Sequence, residues 1–600
     1  MTQTSRQAAE KATFQSFANC YLREVNPGVA ARHRTARGPG VDCIEWSLPS
    51  QHMLLRAEIV SPSSCGPIQF GRIWGRGTSD PIWRNIERLS ALHSLVHETY
   101  QDNRRTMENA GSDRMRGFEL ELLMRVLDSY QQTALYLDKA RERPVQADDF
   151  LAAEQSLVFG HWLHPTPKSR QGMTFWQQER YAPELGGAFK LHYFAARADH
   201  VRHASARALT APDIVAAMAA SGGDMPTARA GEVLLPMHPL QAEALLLDPD
   251  IQALQRDGIL RHLGPSGPCF TATSSVRTVY NAEQDWMLKF SLPVRITNSV
   301  RLNRRHELDA GVAMAKLVDR IGFAERSASF RIIQDPAYLT VEIPGRAESG
   351  FETILRENLF AGSRGAGVVT MAALTADPMP GETSRLMRLI CGLAASSGQS
   401  LQTVALDWFQ RYLERAVEPL IRFFDDFGVA LEAHQQNSLI DILGGYPRFS
   451  YYRDNQGFYL SERYRSLLAA HVPETETIGS LYFAESEIRE RFSYYLIVNQ
   501  VFSVISRMGH DGLCDEGALL CLLRAHLEGC ALTMAGAGRD FARHVLDQPT
   551  ITSKANLTTR LFDVDELQSD AGASLYRPIA NPLRSPSLLA MTRTSHAIAS

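Results

Sequence analysis

Strand-like and helix-like stretches are segregated along this 600-residue chain, and that segregation constrains its fold more than any other feature. Short β-rich runs bounded by Gly and Pro gather in about residues 160–345. They are Val233-Leu-Leu-Pro-Met-His238, Val276-Arg-Thr-Val-Tyr280, Trp286-Met-Leu-Lys-Phe-Ser-Leu292, Phe330-Arg-Ile-Ile333 and Tyr338-Leu-Thr-Val-Glu-Ile343. Runs so short and so close predict a largely antiparallel sheet. Residues 117–137 place apolar side chains at three-and-four spacing, which makes one buried helix face. Arg141-Glu-Arg-Pro144 ends it, because proline cannot continue the ladder. The first 155 or so residues read as mostly helical, and 306–321 is the one clear helix within the β-rich part. Helices return at 401–427, with a break expected at Pro419, and at 485–508 and 516–532. A hairpin is predicted over 449–460, turning at Asn455-Gln456-Gly457. Segregated elements argue for an α+β fold and against a doubly wound parallel sheet.

Composition removes several classes. Apolar residues make up 44% and charged residues 21%, so the chain can bury a sizeable core. Its 62 Lys+Arg against 66 Asp+Glu exclude a generally basic nucleic-acid binder, though not a local basic pocket. The eight cysteines show no CxxC spacing, which argues against a zinc ribbon and for buried thiols in a reducing compartment. The start, Met1 to Lys11, has no apolar core of a secretory signal, and no apolar run approaches the length of about 18 that a membrane span needs. The expected location is cytoplasmic, with neither nucleic acid nor membrane as partner.

The chemistry-bearing residues gather in four places. The first runs from Thr271 to Arg305: Thr273-Ser274-Ser275-Val276-Arg277-Thr278, then Lys289, Arg295, Thr297, Asn298, Arg301, Arg304 and Arg305, with no Asp or Glu between Asp285 and Glu307. On an extended strand Ser275, Arg277 and Val279 share a face. Hydroxyls beside an arginine suit phosphate or carboxylate. Lys289 lies in an otherwise apolar strand, where a cation must find an anion or reach out to water. The plainer reading of this segment is a sheet edge blunted by charge.

The second place is Gly160-His161-Trp-Leu-His164-Pro165-Thr-Pro167-Lys168-Ser-Arg170-Gln-Gly172, a proline-stiffened loop rich in ligand-type side chains. Its two histidines have no acid or thiol nearby to complete a metal site. The third, Pro236-Met-His238-Pro239-Leu-Gln241, reads as a structural histidine. The fourth is Glu432-Ala-His434-Gln-Gln-Asn437, followed by Arg453-Asp454. Asp454 suits either turn chemistry or Mg2+, which prefers oxygen ligands and retained waters. There is no GxxxxGK[ST], no Rossmann glycine spacing, no HExxH and no GxSxG.

Together the motifs G-H-x-x-H-P-x-x-K-x-R-x-G, M-H-P-x-Q, T-S-S-x-R-T, K-x-S-L-P-V-R-I-T-N-S-x-R, E-A-H-x-Q-N, R-D and the late Lys554-Ala-Asn-Leu-Thr-Thr-Arg560 resemble the IucA/IucC family. These are siderophore synthetases that work without a nonribosomal peptide machine, and the likeness is greatest to the citrate-activating, achromobactin-synthetase branch. Trp162 stands where the family usually has Pro, and Leu240 where it usually has Trp.

The resemblance implies a cupped-hand fold of thumb (1–158), fingers (159–348) and palm (349–600), and a homodimer. It implies that ATP and Mg2+ are used to adenylate a carboxylate of citrate, with release of pyrophosphate. An amine or hydroxyl nucleophile then gives an amide or ester. Carried over, His164, Lys168, Ser275, Arg277, Thr278 and Lys289 would bind ATP. Thr297, Arg301, His434, Asn437 and Lys554 would bind the carboxylate substrate, and Glu432 and Asp454 the Mg2+. His434, Arg301 and Lys289 would be catalytic. Two other readings of the same cationic segment stay open: a phosphotransferase cutting at the γ-phosphate, and a non-catalytic polycarboxylate- or siderophore-binding protein.

Overall fold

The structure is a computed structural model that describes residues 4–34, 40–106, 112–142, 148–454, 456–479, 481–561 and 576–585. Pro144 and Asn455, invoked above as a helix stop and a turn residue, lie outside the described residues. At the centre is an eight-stranded sheet. Its order is Val201–Ser205, Ala337–Val341, Thr353–Glu357, Trp286–Phe290, Thr278–Tyr280, Leu260–Ala272, Ala188–Arg197, Glu232–Met237. Every adjacent pair is antiparallel, so the predicted α+β class and antiparallel sheet are both present.

One face of this sheet is sealed by Ala211–Ala220, Pro239–Leu246 and Pro249–Arg256, through a core that includes Ile214, Leu240, Ile251, Phe194 and Leu288. The β-rich part therefore holds more helices than the expected one at 306–321, which forms as Arg305–Arg320. The extra helices are too short for helical periodicity to show in sequence, and local caps start them. His238 is one such cap: its Nδ1 accepts from the Leu240 N–H at 3.1 Å. Burial pushes His238 down to about 3, so it is the neutral, structural histidine expected.

The N-terminal part departs from expectation. A five-stranded antiparallel meander (Val29–His33, Val41–Leu48, Met53–Ser61, Gln69–Gly77, Arg84–Asn85) sits among its helices. Trp46, Leu48, Leu55 and Ala57 point to one side and pack on Phe14 and Phe17 of helix Ser5–Glu24 and Leu92 of helix Arg88–Thr106. The strands alternate apolar with polar residues because one face is wet, and that weak pattern is lost beside the strong periodicity of helix Ser112–Ala140.

The hairpin predicted over 449–460 does not form. Phe449–Arg453 pairs with Ser438–Asp441 and, in parallel, with Phe330–Ile333. Phe458–Ser461 belongs to another sheet, between Val429–Leu431 and Tyr482–Phe483. The chain changes sheets at Asp454, whose φ of +147° turns it out of the first. Gly457 is required there, since an added Cβ would lie 2.6 Å from Cβ of Glu432.

The long C-terminal helices are continuous but not uniformly α. Leu401–Tyr412 and Glu418–Phe427 are joined by a π-turn, Leu413–Val417, so the chain widens before Pro419 instead of breaking at it. Ser493–Val501 is likewise π-helical between Glu485–Phe492 and Phe502–His510. Among the described residues no helix is long and apolar enough to cross a membrane.

Candidate functional site

A cavity of about 650 Å3 lies where the central sheet meets the two smaller sheets and the π-helical segment. Every residue nominated from the sequence lines it: His164, Lys168, Ser275, Arg277, Thr278, Lys289, Thr297, Arg301, Glu432, His434, Asn437, Asp454 and Lys554.

One end is built on a tight turn. Residues 273–278 are not extended, as the sequence suggested, but fold back between strands Leu260–Ala272 and Thr278–Tyr280. Val276 takes φ +66°, a left-handed conformation that a β-branched residue strongly disfavours. The turn is held by Val276 N–H to Thr273 O (2.8 Å), Thr278 N–H to Ser275 Oγ (3.1 Å) and Ser274 N–H to Glu154 Oε2 (2.8 Å). Arg277 is buried, and donates to Asn303 Oδ1 (2.9 Å) and Gln456 Oε1 (3.1 Å).

Lys289 reaches from strand Trp286–Phe290 to Asp454 Oδ1 at 2.7 Å. Burial lowers its ammonium to about 8 although Asp454 favours the charge, so it remains cationic at pH 7. Burial alone would raise the Asp454 carboxyl, but Lys289 and Arg356 hold it well below the usual carboxylate range. Arg356, from strand Thr353–Glu357, grips Asp335 with two bonds of 2.6 and 2.8 Å.

The middle of the cavity is a two-residue hairpin between Arg295–Ile296 and Ser299–Val300. Thr297 sits at φ +56°, a position glycine usually takes. Arg301 Nη2 donates to Thr297 Oγ1 (2.7 Å) and to Ile296 O (2.8 Å), which ties guanidinium and hydroxyl into one donor group. Opposite lies His434. Its Nδ1 accepts from the Gln436 N–H at 3.2 Å, which leaves the proton of the neutral ring on Nε2. Burial lowers His434 to about 4, so it is a neutral Nε2–H donor at pH 7.

Three nominated residues are engaged otherwise than the sequence suggested. Lys168 Nζ is bound to buried Glu184 at 2.6 Å, beside Arg170 on the same carboxylate. His164 uses both ring nitrogens, Nδ1 accepting from Thr166 N–H (3.1 Å) and Nε2 donating to Asn298 Oδ1 (2.8 Å). Asn437 spends its amide on Glu432 O at 3.2 Å, closing the loop that carries His434. Glu432 and Asp454 do not form a metal cluster: among the described residues no three His, Cys, Asp or Glu side chains converge. Glu432 lies 3.9 Å from His434 Nε2. Asp454 takes its bonds from Lys289 and the Gln456 N–H on Oδ1, so Oδ2 has no donor among the described residues.

Arg356, Glu307, Gln456, Tyr494, Tyr495 and Tyr576 also line the cavity and are not reached by motif reading. Arg356 carries the signal that marks Lys289, a cation inside the apolar strand Thr353–Glu357. Trp162, at the departure from the family motif, donates to Ser503 Oγ at 3.3 Å and lies under the Arg23 guanidinium, so it shapes the cavity wall.

The profile of the IucA / IucC family matches residues 149–376, and that of the ferric iron reductase FhuF-like transporter matches 406–569. A spermidine-citrate ligase of Bacillus anthracis is 36% identical over 96% of this chain and 98% of its own length. The rhizobactin siderophore biosynthesis protein RhbC of Rhizobium meliloti is 38% identical over 72% of this chain and 75% of its own. The ATP-bound structure of aerobactin synthetase IucA from a hypervirulent Klebsiella pneumoniae superposes with a TM-score of 0.84 at 25% identity, covering 96% of this chain and 99% of that one.

Proposed function

The chain belongs to the IucA/IucC family, and from that premise we propose that it is an ATP-dependent siderophore synthetase joining citrate to an amine. It is an acid–amine ligase. The observation that carries the reading is the meeting, in one cavity, of a strand-borne Lys289 and Arg277, the Arg301–Thr297 donor pair and the His434 Nε2–H.

Both substrates are polyanions, and like charges roughly 4 Å apart repel by about 4 kcal/mol at an effective dielectric of 20. The cavity offsets that repulsion from both sides. ATP phosphates lie on the 273–278 turn, with Ser275, Thr278, Arg277 and Lys289 as donors. A citrate carboxylate lies between Arg301, Thr297 and His434, with Lys554 beyond. Its oxygen attacks the α-phosphorus, the P–O bond to pyrophosphate breaks, and the citryl adenylate forms. The amine nitrogen then bonds to the acyl carbon as the C–O bond to AMP breaks, and the nitrogen gives up a proton. Because Nδ1 of His434 already accepts a bond, its Nε2–H acts as a donor to the reacting carboxylate and not as a base. His164, Lys168 and Asn437 act through the loops they hold in place.

Asp454, whose Oδ2 has no donor among the described residues, would hold the Mg2+ that accompanies ATP. When bound, the ion neutralises charge on the phosphates. Glu432 stands beside His434. The thumb, fingers and palm of 1–158, 159–348 and 349–600, a homodimer and a cytoplasmic location complete the reading.

The test is pyrophosphate exchange and hydroxylamine trapping with ATP, Mg2+ and a panel of acids. Citrate is expected to support both, 2-oxoglutarate poorly, with AMP and pyrophosphate as products. Release of ADP would mean γ-phosphoryl transfer, and citrate binding without turnover would mean a binding protein.

A further inference from the structure

The cavity lining beyond His434 includes Glu432, Tyr459, Phe483, Arg491, Tyr495 and Tyr576, an aromatic lobe that carries one acid and one cation. Glu432 stands beside His434, whose ring lies 5.9 Å from that of Tyr495. Tyr495 is linked through its hydroxyl to Tyr576 at 3.3 Å. The negative charge of Glu432 bears on the buried phenols of Tyr459, Tyr495 and Tyr576, so the carboxylate lies among them. The Arg491 guanidinium lies over the rings of Phe483 (4.6 Å) and Tyr459 (5.2 Å), which themselves meet edge to face at 5.4 Å.

Arg491 is half-buried, and no carboxylate reaches it within 4 Å among the described residues. The acid whose charge bears on it, Glu487, accepts from the Ala484 N–H at 3.3 Å. A guanidinium held against two aromatic rings keeps planar, forked N–H donors that suit a carboxylate. We propose that this lobe binds the nucleophile and selects an amino acid, with its attacking amine or hydroxyl beside Glu432 and its carboxylate on Arg491. The inference rests on the synthetase reading and adds the class of nucleophile.

Charge separates this class from the polyamines. A second ammonium on a diamine or on spermidine would meet Arg491 and be repelled by its like charge. A carboxylate there gains what the ammonium loses. In the transfer step the nucleophile's lone pair forms the new bond to the acyl carbon. The C–O bond to AMP breaks with its electron pair, and the released proton passes to Glu432 and then to water.

Matched pairs that differ only in a carboxylate test this: L-serine against ethanolamine, L-2,3-diaminopropanoate against ethylenediamine, and L-ornithine against 1,4-diaminobutane, with spermidine beside them. The full chain is assayed with citrate, ATP and Mg2+. In the best pair the carboxylated member is expected to exceed its partner by about tenfold or more in kcat/KM. Arg491→Gln is expected to bring that ratio close to one, mainly through KM. A merely misfolded variant would lower both members together and leave the ratio intact. A preference for spermidine or the bare diamines, or a ratio that survives Arg491→Gln, overturns the assignment. Citrate-driven pyrophosphate exchange, run without any nucleophile, separates the two levels. Exchange without a carboxylate preference overturns the amino-acid assignment alone, and absence of exchange with every acid overturns both.

Discussion

Two buried clusters of lysine, arginine and carboxylate flank the cavity, and they are completed differently. In the first, Lys168 Nζ and Arg170 Nη2 converge on Glu184 at 2.6 Å each, and Arg170 also reaches the second oxygen at 2.8 Å. Burial would raise that carboxyl, but Arg170 and Lys168 hold it at about 2. Its other bonds tie the proline-stiffened loop to helix Ser112–Ala140, through Tyr136 and Asp128. In the second, Asp335 is consumed by Arg356, while Asp454 offers one oxygen to Lys289 and keeps the other. The first cluster is a closed structural tie. The second leaves Asp454 Oδ2 without a donor among the described residues, an oxygen suited to a cation that accompanies phosphate.

The sharpest break of this contrast comes from the closed side. Glu184→Gln leaves two buried cations without their carboxylate and is expected to cost about 3–5 kcal/mol, read from urea denaturation. A loss below about 1 kcal/mol would mean that this cluster is not the tie it looks to be. On the open side, Lys289→Met is expected to lower citrate-driven pyrophosphate exchange by about 10²–10³. Its stability loss should be smaller than that of Glu184→Gln, and near-normal exchange with a large loss of stability would reverse the roles.

The histidines sharpen the same distinction. His434→Ala is expected to slow exchange by about two orders of magnitude, whereas His434→Gln, which keeps an N–H donor, should recover part of it. Normal exchange with loss of the final condensation would assign His434 to the second half-reaction as a base. The smallest effect is expected at Val276→Gly. Release of a left-handed β-branched residue should stabilise the fold by about 1 kcal/mol net of glycine's added chain entropy, while the KM for ATP rises several-fold. Calorimetry and ATP titration of the exchange reaction measure the two halves of that prediction.

Local chemistry was readable from the sequence wherever a residue violated its surroundings. Lys289 stands in an apolar strand, and Arg301 and His434 stand in segments with few reasons to hold them, so each points to a ligand. Arg356 breaks the same rule but has no recognisable motif around it. What sequence cannot reach is pairing across distance. Lys168 looks like a phosphate ligand until Glu184, 16 residues on, folds against it, and His164 is claimed by Asn298, 134 residues away. The misread hairpin fails for a related reason: alternation marks Phe449–Arg453 and Phe458–Ser461 as strands but does not say which sheet each joins. The 273–278 turn reads as strand because its strain is maintained by Glu154 and Asn303, residues distant in the chain.

The π-helical segment Ser493–Val501 has a historical consequence. It supplies Tyr494 and Tyr495 to the far lobe of the cavity, while the phosphate turn and the Arg301 hairpin are anchored in separate sheets. A π-turn accommodates an extra residue inside a helix whose two ends stay in place. The same segment holds the His434 loop, because Asn499 Oδ1 accepts from the Gln435 N–H at 3.1 Å, so loss or gain of one residue there re-phases the aromatic wall and shifts His434 with it. A single-codon insertion or deletion in this helix is thus expected to alter the aromatic lobe and the His434 loop together, an inherited constraint that couples the two ends of the reaction.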